Sequence, residues 1–251
     1  MRGVYRKVAV LATVCALVSG VWPAVARPLS AYREYDSGVF AGGGFKISLP
    51  GKGRAEASSD KPSGRGGDGE AISPELLPLS VSSFRTVGNP IMPKRVAEAV
   101  PGLDKEARRQ LEASLMLLLR QYEQQLDRDD DFRLKNNLAG AFNFLFGAAY
   151  SVHKDGRALS PEQRESMLRQ INAGFALRLK EQRLSDREKQ ELYESAVLSG
   201  SIILGLYSEG RDTRQPEQQR TARELARELL TRLMGLSIEQ VRTEGGSVRI
   251  N

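Results

Sequence analysis

The stretch Lys135–His153, with the sequence KNNLAGAFNFLFGAAYSVH, decides the fold of this chain. Leu138, Phe142 and Leu145 recur at spacings of four and three residues, which is the period of one helical face. Alanine, glycine and further phenylalanine side chains fill most of the remaining circumference, so the predicted helix is apolar nearly all round. A helix of this kind is buried among other helices, and the rest of the chain is expected to supply them.

Helix start and stop signals place four further long helices around this one. The first begins near Asp104. Ser160–Gln163 and Ser185–Glu188 have the pattern of capping boxes, in which two side chains satisfy free amide groups at a helix start. Pro216 marks the start of the last helix and Gly235 its end. The sequence therefore predicts an all-α fold, an antiparallel bundle of about five long helices with an irregular N-terminal arm.

The first 26 residues have the pattern of a cleavable signal peptide. Arg2, Arg6 and Lys7 form a positive start, an uncharged apolar run covers residues 8–21, and Ala24–Ala26 is a small-residue cleavage site. The apolar run is shorter than the about 20 residues that span a bilayer. We therefore expect a periplasmic or secreted bacterial protein with no stable transmembrane anchor after cleavage.

Cleavage after Ala26 changes the composition of the mature chain. It removes Cys15, the only cysteine, so neither a disulfide nor cysteine chemistry is expected. It also removes three basic residues, which lowers the net charge from +6 to about +3. Acidic residues alternate with arginines along the helices, and no basic stripe with stacking aromatics is present. Nucleic acid is therefore not an expected partner.

The region before the bundle changes character twice. Phe45–Leu49 alternates apolar and polar residues like a half-buried strand. Residues 51–70 consist mostly of Gly, Ser and charged residues, the composition of a flexible linker. Four prolines between Ser73 and Pro93 predict an extended arm laid on the bundle. The predicted division is a signal peptide at 1–26, an irregular region at 27–77, the bundle at 78–242 and a tail at 243–251.

Four short motifs together resemble a protein family. They are Phe84–Arg85, Asn136–Phe142, Ala149–Tyr150 and Leu159–Gln163, within about residues 80–242. As a set they resemble an uncharacterised family of exported bacterial all-helical proteins of unknown function. The resemblance implies an exported helical domain. Because that family has no assigned activity, it implies no catalytic residues.

Polar residues in and beside the central apolar helix are the candidate ligand-binding residues. Asn143 lies between Phe142 and Phe144, and a buried amide needs hydrogen-bond partners. Asn143 either fixes the register of the helices or lines a small polar cavity. Asn137 has the further alternative of capping the helix. We predict Asn137, Asn143 and Tyr150 as candidate ligand-binding residues.

The sequence offers little support for histidine or metal chemistry. His153 is the only histidine, and residues two positions away do not face it on a helix. Its position fits the last turn of a helix, where a partial positive charge suits the dipole. Asp129–Asp131 lacks the spaced ligands and the glycine of a calcium loop, and is expected to cap the next helix. No catalytic residue, metal ligand or cofactor is predicted.

Paired carboxylates leave one catalytic alternative open. A glycosidase uses two carboxyl groups, one of them in an apolar setting. Glu191 and Glu194 lie near the apolar part of one predicted helix, and Glu162 and Glu165 near the start of another. Nothing in their spacing marks any of the four as desolvated. A carboxylate-based cell-wall glycan hydrolase therefore remains an alternative function.

Small residues in two apolar helices leave a membrane alternative open. Gly140 and Gly147 lie seven residues apart, and Gly200 and Gly205 in a later helix are expected to pack against them. The competing interpretation is a membrane-active or secreted effector that exposes these two helices, although each apolar run is shorter than a bilayer requires. The leading hypothesis is a non-enzymatic protein-interaction or structural module of the cell envelope, with an unidentified envelope or extracellular protein as its partner.

Overall fold

The computed structural model describes residues 77–250, and six α-helices and one β-hairpin lie within them. The all-α class and the five long helices are confirmed. The predicted signal peptide, the strand-like segment and the linker lie outside the described residues. The elements are α1 (Met92–Ala99), α2 (Lys105–Arg128), α3 (Leu138–His153), α4 (Pro161–Glu181), α5 (Asp186–Asp212), α6 (Pro216–Met234), β1 (Val241–Glu244) and β2 (Ser247–Ile250).

The helix starts follow from local hydrogen bonds. Ser160 and Ser185 both form complete capping boxes, at α4 and α5. The expectation that Asp129–Asp131 caps α3 is wrong, because a 3-10 turn at Phe132–Leu134 intervenes. Asn137 caps α3 instead, and its side-chain oxygen accepts a hydrogen bond from the amide of Gly140.

Helix α3 is the centre of the domain. Leu138, Phe142 and Leu145 are at most 1 % exposed, and α4, α5 and α6 all pack against the helix. Its closest neighbour is α5, where a Cβ built on Gly200 would lie 2.7 Å from the Phe144 ring. Gly200 therefore admits Phe144 of α3, not the glycines of α3.

Helix α2 lies on the outside of the domain and is amphipathic. The side chains that it buries against α1 and α5 are Leu111, Leu115, Leu119, Tyr122 and Leu126. Leu117 on its outer face is 39 % exposed. Within residues 77–250, no helix combines the length and the apolar character needed to cross a membrane.

The C-terminal residues form a hairpin that packs on α4. Strands β1 and β2 pair antiparallel, with Thr243 opposite Val248. The outward-facing main chain of Val248 accepts a hydrogen bond from Gln170 Nε2 at 2.8 Å and donates one to Ser166 Oγ at 3.4 Å. Side chains of α4 thus cover the outer edge of β2, which protects it from pairing with another strand.

Candidate functional site

The three predicted ligand-binding residues do not form one cavity. Asn137, Asn143 and Tyr150 follow one another along α3, so Asn137 and Tyr150 are separated by roughly 20 Å of helix. Asn143 is half-buried, and its Oδ1 atom has no hydrogen-bond partner among the described residues. The Tyr150 hydroxyl lies 3.5 Å from Thr243 Oγ1 of the hairpin. Only Asn137 belongs to an extensive polar cluster.

Asn137 holds the segment that precedes α1. This segment, residues 77–91, is called the arm below. Asn137 is fully buried, and its Nδ2 atom donates hydrogen bonds to the Leu79 carbonyl at 2.8 Å and to Ser83 Oγ at 3.1 Å. Because the same side chain caps α3 through Gly140, it fastens the arm to the start of the central helix.

Asn172 of α4 holds the start of the arm. Its Nδ2 atom donates to the carbonyls of Leu77 and Pro78, both at 3.2 Å, and Ser82 Oγ donates to its Oδ1 at 2.7 Å. Ser82 and Asn172 are at most 1 % exposed, so these hydrogen bonds are shielded from water. We call Ser82, Asn137 and Asn172 the amide clasp.

Gln190 and Glu194 of α5 hold the other end of the arm. Gln190 Oε1 accepts from the Val87 amide at 2.7 Å, and its Nε2 donates to the Asn89 carbonyl at 3.3 Å and to Glu194 Oε1 at 2.7 Å. Both side chains are 3 % exposed. We call this pair the carboxylate clasp.

The carboxylate of Glu194 receives the start of α1. Its Oε2 atom accepts hydrogen bonds from the amides of Ile91 at 2.7 Å and Met92 at 2.8 Å. Negative charge at a helix N-terminus suits the helix dipole. Burial raises the pKa of Glu194 above its ordinary value, although the hydrogen bonds from Met92, Gln190 and Ile91 oppose that rise. A buried carboxylate therefore joins α5 to the arm, and its donors in the part of the chain that the structure describes are two main-chain amides and the Gln190 amide.

The carboxylates considered for catalysis all bind groups of their own chain. Glu191 forms a two-point ion pair with Arg95 of α1, at 2.9 and 3.1 Å. Glu165 of α4 pairs with Arg133 at 2.7 Å, and this hydrogen bond lowers the pKa of Glu165. Glu162 accepts a hydrogen bond from Ser160 at 2.7 Å. Glu191 and Glu165 thus connect elements of the fold, whereas Glu162 bonds to the cap of its own helix.

An aromatic cluster receives the middle of the arm. Phe84 of the arm packs edge-on against Tyr193 of α5 with 5.4 Å between ring centroids. Tyr122 of α2 contacts Tyr193 and Phe144 of α3, at 6.1 and 4.8 Å. Burial raises the pKa of both tyrosines, and the Tyr122 hydroxyl has no hydrogen-bond partner among the described residues. Phe84 is thus the apolar anchor of the arm.

His153 lies in the last turn of α3 and is half-buried. Burial lowers its pKa, and nearby Lys154 lowers it further. Arg227 and Glu239 also lie near it and form an ion pair with each other. Across residues 77–250, no three His, Cys, Asp or Glu side chains are grouped so that they could hold a metal ion.

Sequence reasoning missed Ser82, Asn172 and Gln190 and did not recognise Glu194 as buried. Asn172 could have been predicted as a buried polar residue, because it lies within Ile171–Phe175, a run of otherwise apolar or small residues on a predicted helix. The same pattern is the basis for the prediction of Asn143. The partners of Asn172 and Gln190 are about 90 to 100 residues away, so no local pattern identifies them.

Comparison with known proteins identifies a family of unknown function. No curated protein and no solved structure matches the chain. Residues 79–251 match the model of a family of unknown function, DUF6683. The match covers the arm from Leu79 onward, all six helices and the hairpin, and it confirms the expectation of an uncharacterised family, whereas bacterial origin and export stay predictions. Because the match covers more than half of its residues, the chain belongs to the DUF6683 family of unknown function.

Proposed function

We propose that this chain is an exported, non-enzymatic protein-interaction module of the cell envelope. The observation that carries the proposal is the way the domain holds the arm, a stretch of polypeptide with one 3-10 turn at Leu79–Ser82 and no further helix before α1. Asn137, Asn172, Gln190 and Glu194 all bind main-chain groups of residues 77–92. Main-chain hydrogen bonding with pockets for a few side chains is how protein domains recognise extended segments of their partners. A fold that already does so internally suits an interaction module.

Export is the part of the proposal that rests on the first 26 residues. We expect a bacterial host that expresses residues 1–251 to deliver a chain beginning at Arg27 to its periplasm or medium. Intact-mass analysis and N-terminal sequencing of the fractions measure this directly. A cytosolic chain that retains Met1 would contradict export.

The interaction itself is tested with the mature chain as bait. Residues 27–251, tagged at the C-terminus, are incubated with a solubilised envelope fraction, and we expect one protein to be recovered in stoichiometric amount. Leu117→Lys on α2 and Leu177→Lys on α4 serve as a matched pair of baits, because both leucines are exposed, at 39 % and 54 %. Loss of the recovered protein with one bait and not with the other would assign the contact to that helix. Recovery of lipid or peptidoglycan without a protein would contradict the proposal and favour the membrane or glycan alternatives.

A further inference from the structure

The arm is bound to the domain as a peptide is bound in a groove. The groove consists of the start of α3, the middle of α4 and the first half of α5, and we call it the arm groove. Its polar side chains are the amides of Asn137, Asn172 and Gln190 and the carboxylate of Glu194. They bind carbonyl or amide groups at both ends of the arm, at Leu77–Leu79 and at residues 87–92. These contacts are made to the main chain of the arm, which forms a 3-10 turn at Leu79–Ser82 and is non-helical from there to residue 90, so they require no particular side chains.

Two arm side chains supply the sequence preference of the groove. Ser82 is fully buried and donates to Asn172, and Phe84 is 8 % exposed and inserts beside Tyr193. The side chains of residues 85–89 are exposed. The groove therefore accepts a segment that has a small hydroxyl residue at the end of a 3-10 turn and, two positions later, an aromatic residue.

We propose that the arm groove is a peptide-binding site that the arm occupies within its own chain, and that a Ser-x-aromatic segment of a partner protein displaces the arm. This inference rests on the proposed function and adds to it the surface and the class of partner. The arm then acts as an internal competitor that keeps the groove closed until the partner is present.

Internal competition has a measurable consequence. A tethered segment competes at an effective concentration in the millimolar range or above, so an external peptide binds only the small open fraction of the wild-type chain. A change that weakens the arm and leaves the groove intact raises that open fraction. The apparent affinity for the peptide rises in the same proportion.

The test uses a fluorescent synthetic peptide of residues 77–92 and the full mature chain. We expect the Phe84→Ala chain to bind the peptide at least about tenfold more tightly than the wild type does, because its own arm has lost the aromatic anchor. Two controls are matched to this result. A peptide with Ala in place of Phe84 should not bind. A chain that combines Phe84→Ala with Tyr193→Ala should lose the gain, because Tyr193 packs against the Phe84 ring, which the peptide keeps and the arm of that chain lacks. Circular dichroism verifies folding, and Phe84→Leu, a milder change, is measured in the same way.

Three outcomes would overturn the inference. If folded Phe84→Ala and Phe84→Leu chains bind the peptide no better than the wild type, the arm is a permanent part of the core. Binding that is indifferent to Tyr193 would place the peptide elsewhere. Wild-type dimers formed by exchanged arms would assign the groove to a second copy instead of a partner protein. The envelope pull-down with wild-type bait is independent of all three, so the proposed function can stand where this inference fails.

Discussion

Two interfaces of this domain are stabilised by different forces. Helices α3 and α5 meet through apolar surface, at so short a distance that Gly200 has no room for a Cβ beside Phe144. The arm meets the same helices mainly through buried polar side chains that bind its main chain. A helix satisfies its own backbone groups, whereas an extended segment does not, so burying one requires partners from elsewhere. The difference shows why a domain with an apolar centre also keeps buried amides and a carboxylate.

The largest expected effect comes from removing Asn137. Asn137→Ala leaves the buried Gly140 amide without its partner, removes the cap of α3 and takes one of three hydrogen bonds from the Leu79 carbonyl. We expect a loss of about 3 kcal/mol in the free energy of unfolding, the sum of a lost cap and an unsatisfied buried group. Urea denaturation of the mature chain measures it.

Asn143→Ala is the matched control on the same helix. Because Asn143 Oδ1 has no hydrogen-bond partner among the described residues, the change should alter stability by less than about 0.5 kcal/mol. Equal losses in the free energy of unfolding for the two asparagines would mean that the hydrogen bonds of Asn137 contribute no more to stability than the unpaired side chain of Asn143 does. The contrast between the two interfaces would then disappear.

Replacing the carboxylate of the carboxylate clasp should cause a smaller loss in the free energy of unfolding, and this loss should depend on pH. Glu194→Ala leaves the Ile91 and Met92 amides unpaired, and we expect a loss of about 2 kcal/mol. Urea denaturation at neutral pH measures this loss. Asn172→Ala, in the amide clasp, should be destabilised by a similar amount at every pH, since no member of that clasp titrates.

The pH dependence of the carboxylate clasp has a definite sign. Burial raises the folded-state pKa of Glu194 above its ordinary 4.5, so the folded protein binds this proton more tightly than the unfolded chain does. The resulting stabilisation is complete below about pH 4.5 and is lost as the pH rises through the folded pKa. The stability of the wild type relative to Glu194→Gln should therefore fall as the pH rises from 4.5. A constant difference would show that Glu194 does not titrate differently in the two states.

The smallest effect is expected at the apolar interface. A Cβ at position 200 would lie 3.3 Å from Leu145 Cα as well as against the Phe144 ring. Gly200→Ala should therefore cost about 1 kcal/mol, because overpacking exceeds the gain in helix propensity. Gly147→Ala meets nothing within 4 Å and should instead stabilise α3 by up to about 1 kcal/mol. Thermal unfolding compares the two, and a gain at position 200 would show that the interface is loosely packed.

The sequence predicts the helices well because their determinants are local. Capping serines, prolines and the apolar period of α3 lie within a few residues of the structure that they specify. The hairpin crosses the predicted boundary between the bundle and the tail at residues 242 and 243, because strands of four residues leave only a short pattern. The prediction that Asp129–Asp131 caps α3 is wrong, because the 3-10 turn at Phe132–Leu134 lies between these residues and the helix.

The candidate site is less predictable because its partners are distant in sequence. Asn137 has a visible local role as a cap, but its bond to the Leu79 carbonyl crosses 58 residues. Glu194 follows Leu192–Tyr193 and precedes an apolar run, which indicates burial but not what the carboxylate binds. Asn143 shows the opposite error. It lies in an apolar run as Asn172 does, yet it is only half-buried and its oxygen has no partner within residues 77–250.

The contacts of the arm also determine the order in which the domain can fold. The Val87 amide and Gln190 are 103 residues apart, whereas α3 and α4 are joined by a short turn. Contacts that close such long loops form slowly, after local helix pairs have assembled. The arm is synthesised first and docks last, since α5 must exist before the carboxylate clasp does. If the chain is exported from its N-terminus, docking waits until α5 has followed the arm across the membrane, and the domain completes its fold only at its destination.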